Sequence, residues 1–141
     1  MTFRIRPRHL VAALALCVTP AVAFTPQDLA QQLAEAARAQ DAHFAGFSAQ
    51  RGQAFFNATH RNEWSCASCH SSNPIAPGRH ARTGKSIEPL APAANAQRFT
   101  DAQQVEKWFR RNCGDVVGRP CTANEKGDVL AFLLSLGRGS R

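Results

Sequence analysis

Cys66-Ala67-Ser68-Cys69-His70 sets two thiols three positions apart and places an imidazole directly after the second. This is the spacing of c-type haem attachment. Two thiols so placed reach the two vinyl groups of one porphyrin, and the residue that follows brings its ring beneath the iron as proximal ligand. A thioredoxin-like redox pair needs a strand-to-helix setting in a βαβ unit, which the chain lacks. A zinc site would have to recruit Cys113 and Cys121, whose separation does not repeat the Cys-x-x-Cys spacing. One covalently bound haem c is therefore the expected cofactor, held by Cys66 and Cys69 with His70 on the iron.

Outward from this stretch, residues 62–95 carry Pro74, Pro77, Pro89 and Pro92 among glycines and serines, a composition of loop and turn. A loop that long serves a function or wraps something. Helices flank it. Thr25-Pro26 reads as a cap with a first-turn proline ahead of PQDLAQQLAEAARAQ, residues 26–40, which is rich in helix formers. Ser48 caps a second helix in which Gly52, Phe55, Phe56 and Thr59 share a face. Thr100 with Gln103 forms a capping-box pattern before a helix of about a dozen residues, and Thr122 with Glu125 repeats it before the last helix. Val105, Trp108, Phe109 and Asn112 line one face of the first of these; Val129, Phe132, Leu133 and Leu136 line one face of the second. No period-two pattern of useful length is present. The expected fold is all-α, its few helices set around a long loop and completed by the haem, since so little chain buries too little apolar surface unaided.

At 141 residues, 44% of them hydrophobic and 8% aromatic, the chain has material for one small core. Arg4, Arg6 and Arg8 precede an apolar run from Leu10 to Val18, and Ala21-Val22-Ala23 forms a small-residue cleavage site. Residues 1–23 thus read as a cleaved Sec-type signal peptide that delivers the protein to the periplasm. Residues 24–47 read as an N-terminal helical extension, and 48–141 as the haem domain. Neither Leu10 to Val18 nor the later run Val129 to Leu136 is long enough to span a bilayer. The formal net charge of +7 falls to +4 once the three arginines of the signal, which holds no acidic residue, are removed. That charge suits acidic partner proteins or the carboxylates of a haem; no Lys/Arg stripe with interleaved aromatics points to nucleic acid.

The sixth iron ligand decides function. Met1 is the one methionine and leaves with the signal, which excludes His/Met ligation. A second histidine, another oxygen or nitrogen donor, or an open position remains. Of His43, His60 and His80, the last is the best placed, in the turn-rich GRHARTGK stretch. Asn112 continues the apolar stripe to the end of its helix, and a polar amide there calls for a partner; on the residues alone, a ligand and a plain helix-ending asparagine weigh equally. With Cys17 lost and Cys66 and Cys69 on the haem, Cys113 and Cys121 are left to pair, which stabilises by about 2.5 kcal/mol on the chain-entropy model.

The segment from Ser48 to Leu136 resembles a known family. CASCHSSNP (66–74), GRHARTGKSIEPLAPAANAQRFTD (78–101), VEKWFRRNCGDVVGRPC (105–121) and EKGDVLAFLLSL (125–136) are similar to the oxygen-binding monohaem c-type cytochromes called sphaeroides haem protein. The resemblance implies a class I cytochrome c-like fold in which an asparagine, here Asn112, is the sixth ligand in the oxidised state, with a disulfide between Cys113 and Cys121 beside it. It further implies loss of that ligand on reduction, binding of O2, NO or CO, and a dihaem cytochrome c and a membrane cytochrome b as redox partners. Around the haem, Lys85, Arg110 and Arg111 are candidate partners of the propionates, and Trp108 and Phe109 candidate packing residues. Gly52 and Phe56 facing Phe132 resemble the terminal-helix crossing of class I cytochromes. A carbonyl of Pro74 or Pro77 is a candidate to orient the His70 ring. The expected role is electron transfer with redox-dependent ligand binding rather than catalysis. The alternatives are a bis-histidine carrier using His80, with little affinity for carbon monoxide, and a peroxidase or NO-detoxifying enzyme at an open iron.

Overall fold

A computed structural model describes residues 23–137. The expected signal peptide lies outside the described residues apart from Ala23. Helix α1 runs Pro26–Gln40, opened by the capping box of Thr25 with Asp28 and by Pro26 in its first turn. Helix α2, Ala49–Asn57, starts where the Ser48 hydroxyl accepts the Arg51 N–H. It stops before Thr59, which is exposed and takes no part in the apolar face expected of it.

The long middle stretch is irregular as expected, with two exceptions. A single helical turn, α3, covers Ala67–His70. Strands β1, Gly78–Arg79, and β2, Ser86–Ile87, pair antiparallel with Gly78 opposite Ile87 and Arg79 opposite Ser86. Two residues per strand are too few for alternation to show in a sequence.

Helix α4 covers Ala102–Val117 and is longer than the expected dozen residues. Its cap is Asp101, whose carboxylate accepts the Gln104 N–H, not Thr100 with Gln103. The Thr100 hydroxyl donates instead to the Gln97 carbonyl. Helix α5, Ala123–Ser135, begins at the expected box: the Thr122 hydroxyl accepts the Glu125 N–H and the Glu125 carboxylate accepts the Thr122 N–H. Arg119 donates two hydrogen bonds to the same carboxylate, at 2.8 and 2.6 Å, and holds the Glu125 carboxyl below the usual carboxylate range.

A group whose pKa is depressed on folding stabilises above its unfolded pKa and loses that contribution as pH falls through the folded one. Glu125→Gln keeps an acceptor for the Thr122 N–H but loses the charge paired with Arg119, and is accordingly expected to cost about 0.5 kcal/mol at neutral pH. Parent and variant melting curves should converge below the ordinary carboxylate pKa of 4.5, which thermal unfolding between pH 3 and pH 7 checks.

The core is built on α5. On one side α2 crosses it, with Phe56, Val129, Phe132 and Leu133 buried together and the Phe56 and Phe132 rings 5.6 Å apart. Gly52 makes the crossing close, for a Cβ there would run into the Asp128 carbonyl. On another side α1 brings Leu29 against Leu130 and Val105. Asp128, 5% exposed, fastens the junction of the two regions by accepting the Ser48 N–H at 2.7 Å and the Arg51 guanidinium at 2.7 and 2.8 Å. Arg51 also donates to the Gly46 carbonyl, so the end of the 24–47 segment is pinned to α5.

Candidate haem site

The turn that carries the two thiols is locally determined. Ser65 and Ser68 exchange bonds, each backbone N–H donating to the other's hydroxyl at 3.0 Å, which starts α3 as a capping box would. The His70 N–H donates to the Cys66 carbonyl at 3.0 Å, and Ser71, at φ 63°, ends the turn. Gly78 lies flat against this backbone; a Cβ there would come within 2.9 Å of the His70 Cα. Pro74 is fully buried, and its carbonyl accepts the Leu90 and Ala91 N–H groups, drawing that stretch alongside.

A cavity of about 520 Å3 opens above the turn, walled by apolar side chains that include Phe55, Phe56, Leu90, Phe99 and Leu133. It brings together Cys66, Cys69 and His70 with Asn112, Trp108, Arg111, Lys85 and His80. Arg110, His43 and His60 do not line it. His60 is occupied elsewhere, its Nε2 being 2.9 Å from the Phe55 carbonyl and its ring against Phe55.

Asn112 sits inside α4 rather than at its end. The helix continues past it to Val117, and Gly118 closes it in the left-handed region at φ 75° with its N–H donating to the Cys113 carbonyl. Cys113, next to Asn112, joins Cys121 with a Cα–Cα distance of 5.7 Å. With those two sulfurs bonded to each other, neither is available to a zinc site. Among the described residues no cluster of three His, Cys, Asp or Glu side chains is arranged to hold a metal ion.

His80 borders the cavity from the β1–β2 loop, where its Nδ1 accepts the Arg82 and Thr83 N–H groups, each at 3.3 Å. These two contacts occupy Nδ1 and fix the ring within the loop. Arg98 is a cavity residue that spacing did not reveal. Its guanidinium donates to the Pro89 carbonyl at 2.9 Å and the Glu88 carbonyl at 2.8 Å, so its position depends on backbone more than ten residues from α3.

These residues fit a haem. Cys66 and Cys69 are unbonded to each other, and burial pushes the Cys66 thiol up to about 11. Burial, with a smaller contribution from the Arg98 charge, pulls the His70 ring down to about 4, so it is a neutral imidazole with a lone pair to give. Its Nδ1 is buried without a hydrogen-bond partner. Neither candidate proline carbonyl pairs with it, that of Pro74 being taken by Leu90 and Ala91.

Known proteins match this arrangement. Residues 42–133 fit the family described as Domain of unknown function (DUF1924). Cytochrome c-type protein SHP of Cereibacter sphaeroides is 48% identical over 89 residues, covering 60% of this chain and 68% of that protein. Cytochrome c'' of Methylophilus methylotrophus is 43% identical over 88 residues, covering 60% of this chain and 61% of that one. The structure of oxidised SHP, described as an oxygen-binding cytochrome c, superposes with a TM-score of 0.71 at 41% identity and covers 81% of this chain and 99% of SHP. Oxidised cytochrome c'' superposes with a TM-score of 0.71 at 36% identity, over 78% of this chain and 93% of that one. The solution structure of cytochrome c'', described in terms of haem-ligand detachment, agrees. Coverage of 81% is more than residues 48–141 supply, so the structural likeness reaches back into the segment that holds α1. No helix among the described residues is long and apolar enough to cross a membrane. The chain belongs to the DUF1924 family and, with SHP, to the monohaem c-type cytochromes, an all-α protein of class I cytochrome c-like fold around one covalently bound haem c.

Proposed function

We propose that this protein is an exported periplasmic cytochrome in which electron transfer is coupled to redox-dependent binding of O2, NO or CO, with Asn112 as a displaceable sixth ligand. One observation carries this reading: the cavity that holds His70 also holds Asn112, beside the Cys113–Cys121 bridge, and offers no methionine. When bound, haem c would supply a reversible one-electron couple and an iron able to take a small ligand. Cys66 and Cys69 tether it and His70 takes the proximal side. The Asn112 amide oxygen is a hard, weak donor that would suit ferric iron and match softer ferrous iron poorly, so Asn112 would be the displaceable ligand. Lys85 and Arg111 supply positive charge at the cavity for the propionates, and Trp108 packs against the ring. SHP is described as oxygen-binding and cytochrome c'' in terms of ligand detachment, which supports the same behaviour here. Residues 1–23 direct export, and a dihaem cytochrome c and a membrane cytochrome b are the proposed redox partners.

Asn112→Ala tests the reading. The ferric variant should shift from low-spin toward high-spin in electron paramagnetic resonance and optical spectra, while the ferrous form still takes up carbon monoxide. His80→Ala should leave both spectra as in the parent. An unchanged ferric spectrum in Asn112→Ala overturns the assignment, and a change confined to His80→Ala establishes the bis-histidine carrier instead. Turnover of peroxide or nitric oxide with an electron donor would mark an enzyme.

A further inference from the structure

Helix α4, which carries Asn112, approaches the other secondary-structure elements only sparsely, whereas α1 and α2 both pack along α5. Its first half is held by Val105 against Leu29 and Leu130 and by Glu106, paired with Lys126 at 2.7 Å. Around Asn112 the helix rests on an apolar cluster, Cys113, Val117 and Cys121 against Phe55, and two specific tethers add to it. One is the disulfide from Cys113 to Cys121. The other comes from far off in sequence: the Asn62 side-chain Nδ2 donates to the Asp115 carbonyl at 2.9 Å and lies 3.4 Å from the Gly114 carbonyl. Both carbonyls are among the last four of the helix, which have no partner within it.

Asn62 is itself held firmly. It lies in a turn closed by the His60 N–H on the Trp64 carbonyl at 2.9 Å and the Glu63 N–H on the His60 carbonyl at 2.8 Å. That turn is anchored to α2 through the His60 ring and the Phe55 carbonyl. It leads directly through Trp64, a cavity residue, into Ser65 and Cys66. The same short side chain thus ties the loop that presents the proximal side to the helix that presents the distal side.

We propose that Asn62 is a positioning residue for the redox-linked ligand exchange: it fixes the Asn112 segment of α4 relative to the haem-attachment loop and so sets how readily Asn112 leaves and returns. The proposal rests on Asn112 being the sixth ligand. Asn62→Asp keeps the shape of the side chain while replacing its donor by an acceptor facing two carbonyls, and Asn62→Ala removes the contact altogether.

The test uses the holoprotein with three readouts: the ferric spin state, the rate at which the distal ligand returns after rapid oxidation, and exchange of the Gly118 amide. In both Asn62 variants the return should slow and the ferric high-spin fraction should rise, each roughly two- to tenfold, the range that one hydrogen bond supports. Gly118 exchange should quicken. Glu106→Gln, which severs the tether at the other half of α4 and lies outside the cavity, should match the parent in spin state and return rate. Faster Gly118 exchange with spin state and return rate as in the parent would make Asn62 a structural clamp only and overturn the proposal. So would equal effects from Glu106→Gln, which would signal general loosening of the helix. Asn112→Ala, run in parallel, separates the two levels: if its ferric spectrum equals the parent's, the ligand assignment itself falls and takes the role of Asn62 with it.

Discussion

Gly52→Ala is expected to destabilise the ferric holoprotein by about 3 kcal/mol, the upper end of what overpacking costs. Helix α2 crosses α5 where Gly52 meets the backbone of Asp128 and Val129, and the added methyl would overlap the Asp128 carbonyl. Neither neighbour is the flexible end of a side chain, so relief requires the two helices to separate. Separation would uncover Phe56, Phe132 and Leu133 and loosen Asp128 from Ser48 and Arg51. Gly114→Ala provides the contrast. It too lies inside a helix, but a Cβ there meets nothing within 4 Å, so the better helix propensity of alanine should raise stability by up to about 1 kcal/mol. Urea unfolding followed by circular dichroism measures both. Similar losses in the two variants would show that the crossing does not depend on close backbone approach.

Replacing both Cys113 and Cys121 by serine should cost about 2.5 kcal/mol, the entropy of closing a loop this short in the unfolded chain. A second effect is expected because the bridge holds the residue beside Asn112 to the start of α5. A helix with sparse support elsewhere gains freedom when that bond is cut, so after reduction and reoxidation Asn112 should return more slowly. Equilibrium unfolding gives the first number and stopped-flow oxidation the second. Unchanged exchange kinetics in the serine variant would confine the disulfide to stability.

What the sequence made legible was what depends on near neighbours. Helix α1 has the expected bounds, Ser48 and Thr122 cap as their spacing implies, and Cys66, Cys69 and His70 share one turn because they lie within five successive residues. Errors arose where two local signals competed. Thr100 and Asp101 are both good caps, and Asp101 prevails while the Thr100 hydroxyl turns back to Gln97. Asn112 reads as a helix end because the apolar stripe of Val105, Trp108 and Phe109 stops with it, yet the helix runs on to Val117 and is ended by Gly118 in the left-handed region. The two-residue strands carry no readable period. Arg98 and Asn62 escaped notice altogether, since an arginine fixed by the Glu88 and Pro89 carbonyls and an asparagine capping a helix more than fifty residues away leave no spacing to recognise.

The dependence of both α1 and α2 on α5 orders assembly in time. The surface on which the first two helices settle belongs to the last of the described elements in chain order. Until it emerges, Leu29 and Phe56 lack the α5 side chains that bury them in the folded protein. Shortening the chain ahead of α5 would accordingly leave no smaller native protein behind, only unpaired amphipathic segments.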